Sequence, residues 1–572
     1  MPVESDNYYM QSDESIRQER YKPIIPAPRK WPVVQLSKNS KQFIEEVIDD
    51  TFDRIKEVKS TREELIEELE TTLYREKLRV KRNPWKVDPP DDSEFWAGLR
   101  SELASITGNP DDPAVDEKLD ELLKTIISRY ANEILSKFKP SSYRFARSFV
   151  KTGFTRLLNA THVKGWSALW SKKYTLNDQL HIVGETEHIR TLAQKGTIVL
   201  LPTHFSNLDS ILIGWVIHSL GLPPFIYGAG LNLFNIGIIA YFMNSLGAYK
   251  VDRRKKNLIY IETLKTYSNV ALQKGVHSLF FPGGTRARSG HIEKKLKRGL
   301  LGSVIDAQRI NYEKFPEENR KIFVVPVTIN YHFTLEAPAL INDYLKMMGQ
   351  ERFYVENDEY ATSYKILKFL VKFFTKGSSI SVSIGKGMDV LGNYVDDDGH
   401  SYDKNGQRIY TREYFMHDKK IERDDQRDAE YTKILSEKVV KEFHKINRVF
   451  SSHLAAFTAF KILQKKHPKL DLYNLLRLPD EDQVIPYEEF KKEFIFYLNY
   501  LKELNEKDEV GFASHMNQDV DKVIKHGVDN VGMYHAKRPL IFTKSGDITS
   551  ENLNTLFYYH NRMMGYGLED LK

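Results

Sequence analysis

Leu200-Leu201-Pro202-Thr203-His204-Phe205-Ser206-Asn207-Leu208-Asp209 closes an apolar run and opens a helical pattern. Thr197 to Leu201, after Gly196, reads as a buried strand, while Leu208, Ile211, Leu212 and Trp215 recur at helical spacing. Five residues along one helix would turn two side chains about 140° apart, so His204 and Asp209 meet only if a turn intervenes. If they meet, the imidazole can take a hydroxyl proton while the carboxylate on its other nitrogen fixes the tautomer and stabilises the imidazolium. Such a pair suits acyl transfer from a thioester to an alcohol with no covalent enzyme intermediate. The absence of cysteine removes a thiolate nucleophile, and Ser206 keeps a serine route open. In a chain with 17 histidines a chance pair at this spacing is easily found, so the spacing alone decides nothing.

At 572 residues the chain exceeds a usual single domain, and 41% hydrophobic with 28% charged residues is a globular balance. Zero cysteine excludes a disulfide scaffold and a thiolate metal site and fits a reducing compartment. Asp396-Asp397-Asp398-Gly399 lacks EF-hand spacing and its terminal Glu, so turn chemistry is expected there and no metal. The acidic start Met1 to Asp6 has no apolar signal core, and secretion is not expected. Leu231 to Leu246 spans 16 residues and contains Asn232, Asn235 and Asn244, which favours a buried or interfacial helix over a membrane span. Between Leu246 and Leu300, 13 Lys or Arg face three acids (Asp252, Glu262 and Glu293) within a formal total of +6. No nucleic-acid module is recognisable, so this excess points to a phosphate-bearing substrate or an anionic membrane; a solvated face has the same composition.

Residues 1–140 read as an acidic helical region, interrupted by the loop Asn83 to Pro90. Residues 141–422 alternate strand-like runs with helical patterns: Thr197 to Leu201, Pro224 to Tyr227, His277 to Phe281, Ile322 to Ile329, Ile380 to Ile384 and strands within Tyr394 to Tyr410. That alternation predicts an α/β unit, a mixed, partly parallel sheet covered by helices. Residues 423–572 are helical again, including Leu454 to Leu463 and Phe490 to Leu501.

Three further segments sharpen the reading of His204 and Asp209. Gly247-Ala248-Tyr249-Lys250-Val251-Asp252-Arg253-Arg254 ends an apolar stretch in two guanidinium groups. Phe281-Pro282-Gly283-Gly284-Thr285-Arg286-Ala287-Arg288 sets a glycine-rich turn after a strand: glycines let backbone N–H groups approach a ligand, and the arginines offer forked donors to phosphate. If that backbone is extended, Arg286 and Arg288 face one ligand; a surface turn with two solvated arginines is the alternative. Val324-Val325-Pro326-Val327 supplies a further strand.

This ordered set resembles the glycerolipid acyltransferase superfamily, which acylates glycerol 3-phosphate and 1-acylglycerol 3-phosphate. The resemblance spans about Gly184 to Val390. It implies His204 as general base, Asp209 as its orienting group, and Gly284, Thr285, Arg286 and Arg288 as the substrate-phosphate block, with Arg253 as a phosphate or acceptor contact. It implies no cofactor; the co-substrate is an acyl thioester, acyl-coenzyme A or acyl-carrier protein, and the resemblance does not choose between them. One departure is Gly283, where most members carry Glu, although the chloroplast-type enzymes also lack it. The long helical flanks, with Asn447 to Leu454 and Tyr558-Tyr559-His560-Asn561-Arg562, resemble the long glycerol 3-phosphate enzymes, whereas Val251-Asp252-Arg253 is closer to the short 1-acylglycerol 3-phosphate enzymes. Transfer to the sn-1 hydroxyl of glycerol 3-phosphate in phospholipid biosynthesis is the favoured expectation. The alternatives are sn-2 acylation of lysophosphatidic acid, acylation of another lipid alcohol, and an inactive lipid-binding protein on the same fold.

Lys365, Lys368, Lys372 and Lys376 are spaced by three, four and four, and form one cationic stripe on a helix that also carries Phe369 and Phe373. Such a helix can lie in a membrane interface with its lysines on anionic headgroups; a core helix with solvated lysines has the same pattern. A cytoplasmic protein attached peripherally to an anionic membrane is expected, with no nucleic-acid partner.

Overall fold

The computed structural model describes residues 21–108, 113–148, 180–231, 243, 246–318, 320–349 and 380–571. The Lys365 to Lys376 stripe and most of Leu231 to Leu246 lie outside the described residues.

Seven stretches pair into one sheet: β1 (Leu180–Gly184), β2 (Gly196–Pro202), β3 (Ile226–Gly230), β4 (Ala248–Val251), β5 (Ser278–Leu279), β6 (Lys321–Tyr331) and β7 (Ile380–Ile384). Their order is β1-β7-β6-β2-β5-β3-β4. The five strands from β6 to β4 run parallel, whereas β7 is antiparallel to β6 and carries β1 with it. The expected mixed, partly parallel sheet is therefore present. β2 and β6 are largely apolar and almost wholly buried, as strands covered by helices on both faces must be, and β7 is buried too although Ser381 and Ser383 alternate with its apolar residues.

The sequence ranges drift where backbone chemistry intervenes. Pro223 and Pro224 cannot donate to a ladder, so β3 begins at Ile226 rather than at Pro224. The run from His277 pairs only over Ser278–Leu279 before Pro282 turns the chain. Within Tyr394 to Tyr410, carboxylates hold tight turns: Asp396 accepts from the His400 amide and Asp403 from the Asn405 and Gln407 amides, leaving a two-residue ladder of Ser401–Tyr402 on Arg408–Ile409.

The helices before the sheet include α1 (Pro32–Lys38), α2 (Ser40–Val58), α3 (Arg62–Arg82), α4 (Asp92–Thr107) and α5 (Val115–Ile134). The start of α3 is set by a capping box, in which Thr61 Oγ1 accepts from the Glu64 amide and Glu64 Oε2 accepts from the Thr61 amide. Between the strands run α6 (Thr186–Lys195), α7 (Asp209–Ser219), α8 (Leu258–Gln273), α9 (Arg298–Lys314) and α10 (Ala337–Gly349). After the sheet come α11 (Asp425–Ile446), α12 (Ser451–Lys466), α13 (Leu472–Leu475), α14 (Tyr487–Glu506), α15 (Val520–Asn530) and α16 (Leu553–His560).

Two hydrophobic cores result. One runs from the sheet through Val439 and Phe443 of α11 into Phe457 and Phe460 of α12 and Tyr558 of α16. The other joins α1 to α5 with Tyr249 at the β4 edge and Tyr260 and Tyr267 of α8. Among the described residues, no helix is long and apolar enough to cross a membrane.

Candidate active site

Parallel strands release their chains at a common edge, where ligands of open α/β sheets bind. β2 there delivers His204, β5 delivers the glycine-rich turn, and β4 delivers Arg253. β2 and β5 are neighbours, so the first two meet; β4 lies three strand spacings from β2, about 14 Å away.

The turn required between His204 and Asp209 is present. Asp209 is the first residue of α7, and its Oδ2 accepts from the Phe205 amide at 2.7 Å, the Ser206 amide at 2.9 Å and His204 Nδ1 at 2.9 Å. Its Oδ1 accepts from the Tyr331 hydroxyl at the end of β6. Asp209 is fully buried, and burial with the adjacent carboxylate holds the Tyr331 phenol well above its ordinary pKa, so it acts as a donor. An Oδ2 facing only donors requires Nδ1 to carry the imidazole proton, which leaves the Nε2 lone pair for a substrate. The ring is 13% exposed and stacks on Phe281 with centroids 4.0 Å apart.

Ser206 is turned away from this chemistry. It is buried, its Oγ donates to Glu336 Oε2 at 3.1 Å, and it accepts from the Leu208 amide.

The glycine-rich turn is tied to the dyad through its backbone, since the Ala287 amide donates to the His204 carbonyl at 2.8 Å. Gly284 adopts φ +75°, and a Cβ there would lie 2.6 Å from Lys297 Cδ, so Lys297 covers the turn. Thr285 is half-buried beside it. The segment is a double turn instead of an extended strand, and its two arginines diverge along α10. Arg286 Nη1 lies 3.3 Å from Glu336 Oε1, next to the start of that helix, and Arg288 Nη1 lies 3.1 Å from Met347 Sδ in its last turn. Glu336 Oε1 also accepts from the Asn207 amide at 3.0 Å, so one buried carboxylate joins Arg286 to the histidine loop.

Arg253 is exposed at the end of β4. Its neighbour Arg254 has a structural role: it pairs with Asp252 and Asp88, and stacks on Trp85 of the Asn83 to Pro90 loop at 4.0 Å. Lys255 pairs with Glu133 and Lys274 with Glu46. Part of the basic excess between Leu246 and Leu300 is thus neutralised by acids of the N-terminal helices.

Four site residues escaped the sequence reading. Tyr331 and Glu336 follow the Val-Pro strand with no periodic signal. Glu293 accepts from the His204 amide at 3.0 Å, and burial pushes its carboxyl up to about 7; its signal was being a lone acid in a basic run. Arg562 lies over Phe205 at 3.5 Å and donates to Asn330 Oδ1 at 2.7 Å; burial pulls its pKa down.

Comparison with known proteins adds a frame to this geometry. Residues 183–330 match the acyltransferase family model. A glycerol-3-phosphate acyltransferase of Aeromonas hydrophila is 30% identical over 216 residues, 37% of this chain and 23% of that protein. One of Pseudomonas paraeruginosa is 28% identical over 225 residues, 39% of this chain and 24% of its own. The chain thus spans under a quarter of the length of these curated relatives. The crystal structure of the 1-acyl-sn-glycerophosphate acyltransferase PlsC from Thermotoga maritima is 13% identical and covers 56% of this chain and 97% of its own, with a TM-score of 0.24.

Proposed function

We propose that this chain transfers a fatty acyl group from a thioester to the sn-1 hydroxyl of glycerol 3-phosphate, a reading supported by the match of residues 183–330 to the acyltransferase family model and by the likeness to glycerol-3-phosphate acyltransferases. The observation that carries the reading is the Asp209–His204 pair, with Nδ1 held by a buried carboxylate and a basic, glycine-rich turn hydrogen-bonded to the same loop. His204 Nε2 takes the hydroxyl proton as oxygen attacks the thioester carbonyl; the C–O bond forms, the C–S bond breaks, and the departing thiolate takes the proton back. Arg286 supports the acceptor phosphate, held in place by Glu336. Gly284 and Thr285 complete that phosphate-binding turn in this reading, while Arg253 and Arg288, which stand apart from it, offer donors to other anionic parts of the substrates. No cofactor is needed. The donor is acyl-coenzyme A or acyl-carrier protein, and the Lys365 to Phe373 stripe is the proposed contact with an anionic membrane surface, which makes the protein peripheral.

Purified protein offered both thioesters with glycerol 3-phosphate and 1-acylglycerol 3-phosphate in parallel, with products resolved by mass, tests this. Acylated glycerol 3-phosphate is expected, and H204A should lower kcat by about 10²- to 10⁴-fold while keeping the circular dichroism spectrum. Turnover only with the lysolipid would move the acceptor to the sn-2 reading, and lipid binding without turnover would make the protein a binder. R286A should raise KM for the acceptor more than KM for the thioester, and equal changes in both would remove it from the phosphate site.

A further inference from the structure

Glu293 is the feature the catalytic reading leaves unused. It lies ten residues beyond Gly283, past the glycine-rich turn, yet its side chain returns beneath that turn. One carboxylate oxygen, Oε1, accepts from the backbone N–H of His204 at 3.0 Å; the other, Oε2, is sealed from solvent and has no hydrogen-bond partner among the described residues. A Cβ built on Gly283 would stand 3.1 Å from Glu293 Cγ and 3.3 Å from Glu293 Oε1. Gly283 does not adopt a positive φ, so the backbone there admits a side chain; what crowds one is the Glu293 side chain, which would have to give by a few tenths of an ångström.

In a glutamate, a carboxylate oxygen lies three bonds beyond Cβ, about 3 Å away in staggered rotamers. A glutamate at 283 would therefore carry its carboxylate into the place Glu293 Oε1 now holds, against the same His204 amide. An aspartate at 283, one bond shorter, would stop short of it.

We propose that Glu293 is the positioning residue of the histidine loop, supplying from position 293 a carboxylate that crowds position 283, so that Gly283 and Glu293 form one exchangeable unit. The backbone of His204 is then fixed from both sides: its carbonyl accepts from Ala287 and its amide donates to Glu293, while the ring is fixed by Asp209 and Phe281. A carboxylate below the loop sets where Nε2 points without touching the substrate. The proposal rests on His204 being the base, and predicts effects on kcat with little effect on substrate binding.

The test uses E293A, E293Q, G283E, and the double variants G283E/E293A and G283D/E293A in the full chain. Measured about one pH unit above 7, where the Glu293 carboxyl is ionised, E293A should lower kcat about 10- to 100-fold, the loss of one hydrogen bond to a charged acceptor, with both KM values within about threefold. E293Q keeps an acceptor oxygen and should retain most of the activity. G283E alone should be impaired by crowding, while G283E/E293A should recover at least about tenfold over E293A and G283D/E293A should not. A readout independent of turnover is the imidazole titration of His204 followed by NMR, with H204A giving the assignment. It should move in E293A and return in G283E/E293A. Wild-type turnover with no change in E293A, or an additive double variant, would overturn the proposal and leave the acyl-transfer reading standing. If the wild type has no acyltransferase activity, the NMR arm still decides: an unmoved His204 titration in E293A overturns the positioning role.

Discussion

On the N-terminal side, Arg79 is sealed among Glu76 at 2.6 Å, Asp88 at 3.2 Å and Asp92, and Arg254 extends the same cluster to the β4 edge. On the C-terminal side the same depth is filled by uncharged imidazoles. His560 stacks on Phe457 at 4.9 Å, His453 Nε2 donates to the Tyr331 carbonyl at 2.8 Å, and burial lowers the pKa of His515, His535 and His560 to about 3. The sequence is divided in the same way: no histidine precedes His162, and seven of the 17 lie after residue 423. The flank fastened by ion pairs meets the sheet at an edge strand, three spacings from the dyad. The flank that packs behind the dyad brings one buried cation, Arg562, one buried acid, Glu442, and otherwise neutral polar groups. Charge is thus used for attachment on the N-terminal flank, and the C-terminal flank brings less of it toward His204, the proposed base.

This contrast is open to direct attack. The largest effect is expected from Arg79→Met, which leaves the buried Glu76 without its cation and removes one partner each from Asp88 and Asp92: unfolding in urea should lose about 3–5 kcal/mol, while kcat of the folded protein changes less than twofold. A parallel fall in kcat would break the separation of attachment from catalysis. Next is acid sensitivity. Histidines at about 3 in the folded state and 6.5 unfolded bind fewer protons when folded, so stability falls as pH drops from 6.5 toward 3. At pH 5 each such imidazole accounts for about 2 kcal/mol. Glu293, raised to about 7, has the opposite sign: its contribution grows as pH falls from 7 toward 4.5. Tm measured between pH 7.5 and 5 should fall, and H560N should flatten the slope; an unchanged slope would remove the C-terminal imidazoles as its cause. The smallest effect is expected from D116N, which breaks the exposed Arg62–Asp116 pair and should leave Tm unchanged, showing that only the buried part of the ion-pair network holds that flank.

The parts of the fold legible in the sequence are those with a repeating pattern. β2 and β6 follow from apolar runs, β7 from alternation of Ile and Val with Ser, α12 and α14 from helical spacing, and the His204–Asp209 turn from the geometric impossibility of meeting along one helix. Glu293, Glu336, Tyr331 and Arg562 were not legible, because each is fixed by a tertiary approach of segments far apart in the chain and none sits in a periodic stretch. The two arginines of the glycine-rich block show the same limit. Their spacing assumed extended backbone, and the double turn sends them to opposite ends of α10.

Asp209 receives hydrogen bonds from four donors: the His204 ring, two amides and the Tyr331 hydroxyl. A carboxylate so fully engaged has no place for a proton, so in the proposed reaction the proton taken from the acceptor hydroxyl stays on the imidazole until the sulfur departs. Under the proposed chemistry the catalytic cycle then exchanges no proton with bulk water, and turnover should be insensitive to buffer concentration at fixed pH.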